Sequence, residues 1–426
     1  RRSPLPAGEG QGEGYKGVSD DLRKRINYEL DVIDRTGYAT YFLIVSDFVK
    51  WARAQGIVTT TRGSAAGSIV AYLTDITTVN PLDFKLPFER FLTVSRPSPP
   101  DIDVDFADNR RNEVIEYVRQ KYGRDKVAQI CTFGTMLPRA AVRDVVRVLG
   151  LSYTFGDRLA KMIPPGWQGF HMTVNRALEE NPELGKLYQE DERVRRVLDL
   201  VRKVEGCARH ASVHAAGMVI APTKLTDFTP LQREAQGDNI ITQYDMHAVE
   251  SAGLVKMDML GIRNLSILGE AVKIVRKTKG VSVDIGNLLL DDKKTFAMLA
   301  RGDTMGVFQL SGSGMTRYLK DLKPSAIYDI MAMVALFRPG PMESIPEYIR
   351  RKHNSKLVSY LDPRLQPILE RTHGILVYQD DVLEIAIALA GYTWEEADKL
   401  RKAMGKKIPR EMIAQREKFL LGCVKG

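Results

Sequence analysis

Asp101-Ile102-Asp103-Val104-Asp105 constrains this chain more than any other stretch, because three carboxylates alternate there with two β-branched apolar residues and Phe106 follows. An extended strand sends successive side chains to opposite faces. The three aspartates therefore share one face, while Ile102, Val104 and Phe106 enter a core on the other. Like charges about 4 Å apart repel by roughly 4 kcal/mol at an effective dielectric near 20. A fold that gathers carboxylates at that cost usually has a cation between them. Hard divalent ions such as Mg²⁺ take oxygen ligands and often share them with substrate phosphates. The competing reading is a surface strand edge whose charges prevent aggregation.

Length and charge set looser bounds. At 426 residues the chain has room for two or three domains, and its 44% hydrophobic content is ordinary for a soluble globular protein with a full core. The net charge of +9 favours a polyanionic partner. Cys131, Cys207 and Cys423 lie far apart with no CxxC spacing, which points to a reducing cytoplasm and away from a disulfide framework or zinc ribbon. No apolar run is long enough to span a bilayer, and no signal peptide is evident, so no membrane partner is expected. Residues 1–18 are rich in Gly and Pro and read as a linker, as in a piece of a larger protein.

Mixed α and β structure is expected along the rest. Ser46–Gln55 is amphipathic and stops at Gly56; Arg62-Gly63-Ser64-Ala65-Ala66-Gly67-Ser68 then leads into the apolar Ile69–Leu73. Small residues before a helix put free backbone N–H groups and a positive dipole end in one place, a ready phosphate site, with Ser64 as the cap and Arg62 adding charge. The GxxxxGK[ST] spacing of a Walker loop is absent, and small residues there serve close helix packing equally well. A helix over Asn112–Tyr122, a strand over Val127–Phe133 and a helix from Pro138 to Leu149 follow, the last with Val142, Val145, Val146 and Leu149 inward. Arg139, Arg143 and Arg147 form an i, i+4 stripe on its other side, suited to a nucleic-acid backbone or to solvent. Tyr153 to Glu205 reads as charged helices broken at Pro164-Pro165-Gly166, an insertion into the α/β body.

β structure returns at His214–Pro222 and Leu254–Leu260. Strand alternation sets Lys256 and Asp258 on one face, with Val255, Met257 and Met259 on the other. A lone aspartate in so apolar a strand is costly without a partner. Asp258 either completes a carboxylate metal site, with Lys256 neutralising phosphate oxygens, or forms a structural pair with Lys256. His210 and His214 are spaced i, i+4 but lack the HExxH glutamate, so both read as structural.

The Arg62-Gly63-Ser64 turn, the Asp101–Phe106 run with Pro100 before it, Gly253-Leu254-Val255-Lys256-Met257-Asp258 and Phe337-Arg338-Pro339-Gly340-Pro341 occur in this order. Phe88-Glu89-Arg90-Phe91-Leu92, Tyr122-Gly123-Arg124-Asp125, Phe308-Gln309-Leu310 and Ala403-Met404-Gly405-Lys406-Lys407 add to them. Together they resemble the C-family of bacterial replicative DNA polymerases, the polymerase III alpha subunits. The resemblance runs over nearly the whole chain after the linker.

It implies an α+β fold: a polymerase beta-like nucleotidyltransferase palm over residues 19–132 and 214–262, an inserted helical thumb at 133–213, and mainly helical, truncated fingers from 263 to 426. It implies Asp101, Asp103 and Asp258 as catalytic, metal-binding carboxylates for two Mg²⁺ ions, with Asp105 in support. Arg62, Gly63, Ser64, Lys256 and Arg338 would contact the incoming nucleotide, and Arg401, Lys402, Lys406 and Lys407 are candidates for triphosphate or template contacts. The implied activity is dNTP addition to a primer 3′-hydroxyl on a DNA template, in chromosome replication. The sliding clamp and other replisome subunits would be partners through segments outside this sequence, so proofreading and processive synthesis are not expected of it. Where the family has Gly-Pro-Gly before the Arg-Gly-Ser turn, this chain has Thr59-Thr60-Thr61. A two-metal nuclease and a non-catalytic DNA-binding module are the rival readings.

Overall fold

The computed structural model describes residues 19–94, 99–166, 171–234, 237, 239–406 and 409–425. Its strands are β1 (Thr59–Arg62), β2 (Asp103–Ala107), β3 (Val127–Thr135), β4 (Ala208–Ile220), β5 (Leu231–Arg233), β6 (Ile240–Thr242) and β7 (Lys256–Ile262). They form one mixed sheet in the order β1-β2-β7-β4-β3-β6-β5, within a mixed α+β fold. Chain contacts divide the molecule into Arg1–Val114 with Met259–Gly426, and Ile115–Asp258, a boundary that falls inside β7.

In the first unit, Ser19 accepts the Leu22 N–H at 3.3 Å and opens the helix Asp20–Arg35, with Asp20 and Asp21 at its positive end. The helix Ala39–Ala54 follows, and Gly56 (φ +69°) turns the chain out of it into β1. β1 and β2 are antiparallel, with Thr59 opposite Phe106, Thr60 opposite Asp105, Thr61 opposite Val104 and Arg62 opposite Asp103. Thr59, Thr60 and Thr61 thus form a β-branched strand, the residue type that suits a pleated edge. Ile102, Val104 and Phe106 are buried, and the Phe106 ring packs on Phe48 with centroids 6.2 Å apart. The expected alternation holds for the apolar face. The strand itself starts only at Asp103, so Asp101 stands before it and is exposed, whereas Asp105 is buried.

The rest of this unit is mainly helical. The helix Arg263–Lys279 follows β7, and Phe296, Leu319, Met333, Leu336 and Tyr348 form a core among the helices after it. Leu383, Ala386, Tyr392 and Ala397 form another.

In the second unit β3 pairs antiparallel with β4 and parallel with β6, and β4 pairs antiparallel with β7. β4 begins at Ala208, six residues before the expected start at His214, because the early part of the strand is an exposed ribbon carrying little apolar signal. Between Met136 and Cys207 lie the helices Pro138–Val148, Tyr153–Met162, Val174–Glu180, Pro182–Glu190 and Glu192–Val204, around a core that includes Val142, Val146, Leu159, Leu184, Val197 and Leu198. Val145 and Leu149 pack at its margin. Backbone bonds between Met136 and Cys207 (2.9 Å) and between Gly206 and Met136 (3.0 Å) close this segment at its base. Among the described residues no helix is long and apolar enough to cross a membrane.

Candidate metal and nucleotide site

Asp101, Asp103 and Asp258 each present a carboxylate oxygen, and these atoms lie within 4.8 Å of one another. Asp101 is exposed, Asp103 half-buried and Asp258 buried. Such proximity among like charges is costly, and oxygen donors alone suit a hard divalent cation. Asp258 gives the clearest sign: its Oδ2 accepts Lys256 Nζ at 2.6 Å, while its buried Oδ1 has no hydrogen-bond partner. An orphaned buried carboxylate oxygen beside two more carboxylates fits a metal ligand. Gly217 of β4 stands opposite Asp258 in register, and the His214 ring of the same strand fills the space that a side chain at Gly217 would take.

The Arg-Gly-Ser turn is shaped by β1 at one end. Arg62 bonds Asp105 through both Nε and Nη2, the latter to Oδ1 at 2.9 Å, so Asp105 holds a guanidinium and stands outside the acidic triad. Gly63 has φ +81°, a conformation that favours glycine, and a Cβ there would meet Asp103 Oδ2 at 3.4 Å.

Two details of the turn differ from the sequence reading. Gly63–Gly67 closes into a 3₁₀ turn, which delays the helix to Ile69–Leu73; its cap is therefore Ser68, accepting the Ala71 N–H at 3.0 Å, and not Ser64. The first N–H groups of that helix are not open to a phosphate either. Ile69 and Val70 donate them to the buried carboxylate of Glu29, at 3.0 and 3.1 Å. Glu29 escaped the sequence reading because, four residues after Arg25, it looks like any surface helix acid.

The other candidates are spread more widely. Arg338 is exposed in the loop after the helix Ile327–Leu336. Arg401 and Lys402 both bind Asp398, at 2.6 and 2.8 Å. Of Lys406 only the backbone is described, and Lys407 lies outside the described residues. Arg139 donates to the Ile163 carbonyl, Arg143 to Asp157 at 2.8 Å and Arg147 to Asp144 at 3.1 Å, so much of that stripe is engaged within the helical cluster. His214 Nδ1 accepts the N–H groups of Ala216 and Gly217, and the His210 ring lies against Gly134. His214 is thus occupied within the β3–β4 ribbon, and His210 packs its ring there.

An α+β sheet with a triad of carboxylates beside a glycine turn defines a protein with a candidate divalent-metal site. Comparison with known proteins narrows this. Residues 9–261 match the bacterial DNA polymerase III alpha NTPase domain and residues 264–426 the bacterial DNA polymerase III alpha subunit finger domain. The chain belongs to the bacterial DNA polymerase III alpha family. It is 50% identical to the DNA polymerase III subunit alpha of Thermus aquaticus over 99% of its length, and 48% identical to those of Escherichia coli K12 and Bacillus subtilis 168 over 95% and 94%. It spans 35–36% of the length of these curated relatives.

Proposed function

We propose that this chain carries the nucleotidyl-transfer centre of a replicative DNA-directed DNA polymerase. Its substrates are then primer–template DNA and dNTPs, in the bacterial cytoplasm. The observation that carries this reading is the acidic triad in a chain of the polymerase III alpha family. Asp101, Asp103 and Asp258 are the proposed ligands of two Mg²⁺ ions, and the unpartnered Asp258 Oδ1 supports that role. When bound, such ions make the primer 3′-hydroxyl a better nucleophile and stabilise the leaving pyrophosphate.

The chain's own residues then bind and orient. Arg62 and Lys256 bring positive charge to the triphosphate, and Gly63 lets the backbone approach it closely. Ser64 and Arg338 are further nucleotide contacts. Residues 19–132 and 214–262 are proposed as the beta-like palm, 133–213 as the thumb and 263–426 as fingers. Arg139, Arg143, Arg147, Arg401, Lys402, Lys406 and Lys407 are proposed backbone contacts to DNA, a binding mode that salt weakens. Sliding clamp and replisome subunits are proposed partners of the longer polymerase.

Primer extension with dNTPs and Mg²⁺, beside an Asp103→Ala control, tests this. Extension that the control loses supports the reading. Loss of primer nucleotides without dNTP incorporation identifies a nuclease instead, and salt-sensitive binding without turnover a DNA-binding module.

A further inference from the structure

Glu29 is fully buried in the helix Asp20–Arg35, and its two carboxylate oxygens accept four hydrogen bonds. Oε1 takes Arg25 Nε at 2.7 Å and the Ile69 N–H at 3.0 Å; Oε2 takes the Ser68 hydroxyl at 2.8 Å and the Val70 N–H at 3.1 Å. Arg25 extends the clamp through Nη2, which donates to the carbonyls of Gly67 at 2.9 Å and Leu86 at 3.2 Å. Gly67 is seated on the Pro87 carbonyl so closely that a Cβ would come within 2.6 Å of its oxygen.

These contacts grip the end of the Gly63–Gly67 turn, and the pairing of Arg62 with Asp103 fixes its beginning. A buried carboxylate persists only where donors surround it. Here the donors are the chain's own, which leaves Glu29 nothing to offer a substrate.

We propose that Glu29, with Arg25, is a positioning residue for triphosphate binding, holding the turn so that Arg62, Gly63 and Ser64 meet the nucleotide without first being ordered. This rests on reading that turn as the triphosphate-binding element. Ordering a loop before binding removes a cost from affinity, so its loss falls on the dNTP KM and not on the chemical step.

The test is steady-state extension by the purified polymerase at saturating primer–template, comparing Glu29→Gln, Ser68→Ala, their combination and Arg62→Ala. Gln keeps the size of Glu29 but turns an amide toward two donors. Glu29→Gln is expected to raise the dNTP KM about tenfold, with kcat within about threefold and primer–template affinity unchanged. Ser68→Ala moves KM the same way by less, and the combination is no worse than Glu29→Gln alone. If neither single variant moves KM while Arg62→Ala does, the positioning role is wrong and the reading of the turn stands. If Arg62→Ala leaves KM unchanged as well, the reading of the turn itself fails. A drop in kcat that only tracks the folded fraction, with KM constant, makes Glu29 structural and also overturns the proposal. Should Glu29→Gln not fold, Ser68→Ala decides by the same KM criterion.

Discussion

Arg62 reaches diagonally across the β1–β2 ladder to Asp105: it stands opposite Asp103 in register, yet its guanidinium binds the buried carboxylate two residues further on. The third aspartate of the motif thus acts on an arginine. Asp105→Asn keeps the volume and removes the charge. It is expected to cost about 1–2 kcal/mol of stability, since the guanidinium is half-exposed. It should also raise the dNTP KM several-fold while leaving the Mg²⁺ concentration for half-activity unchanged. Denaturant titration and steady-state extension check both; a shifted Mg²⁺ requirement would make Asp105 a ligand after all.

Lys256 is the nearby positive charge on Asp258. Lys256→Met strands a buried carboxylate, for an expected loss of about 2–4 kcal/mol. A divalent cation bound by the triad would supply the missing charge. Millimolar Mg²⁺ or Mn²⁺ should therefore raise the melting temperature of the variant more than that of the parent protein, read by differential scanning fluorimetry. Equal shifts in the two would argue against a cation at Asp258.

Gly67→Ala pushes a methyl group into the Pro87 carbonyl, which is backbone and cannot swing aside. A destabilisation of about 1–3 kcal/mol is expected from overpacking, with dNTP affinity reduced in parallel. Unfolding curves and dNTP titration would show a Gly67→Ala protein of normal stability if this close approach were unimportant.

His373 is held below its ordinary pKa by burial, with Asp329 opposing that shift and Lys352 adding to it. Its ring lies 5.2 Å from that of Tyr348. A histidine whose pKa falls on folding binds its proton less readily in the native state. Its contribution is whole above the ordinary imidazole range and is lost as pH drops from neutral through the depressed folded value. Acidification should therefore weaken the Tyr348 core. His373→Asn, which accepts the left-handed backbone at φ +56°, should flatten that part of the pH–stability curve. An NMR titration placing the His373 pKa at or above the ordinary value would contradict this.

The apolar half of the site is legible in the sequence because period-two alternation is local: Val104, Phe106, Met257 and Met259 are buried as their spacing requires. The Lys256–Asp258 contact is legible for the same reason, two residues apart on one face. What is not legible depends on distant partners. Ser64 and Ser68 are equally good caps by type, and only the closing of a 3₁₀ turn between them selects Ser68. Little that is local distinguishes Glu29: Arg25 is an ordinary i, i+4 partner, and the carboxylate's other three donors lie about forty residues away. Likewise the arginine stripe at 139, 143 and 147 has the right period for a solvent face, but its bonds to Ile163 and Asp157 arise from the packing of later helices.

The helices between Met136 and Cys207 hang from two neighbouring strands whose ends are tied by a pair of backbone bonds. Topologically they are the loop of a hairpin, enlarged until it acquired a core of its own. Beyond the Arg209–Asp144 ion pair (2.9 Å) that joins β4 to the first of these helices, what the sheet requires of the loop is that its ends arrive side by side. Such a module is free to diverge, lengthen or be exchanged between relatives while the register of β3 on β4, and through β4 that of Asp258, stays where it is.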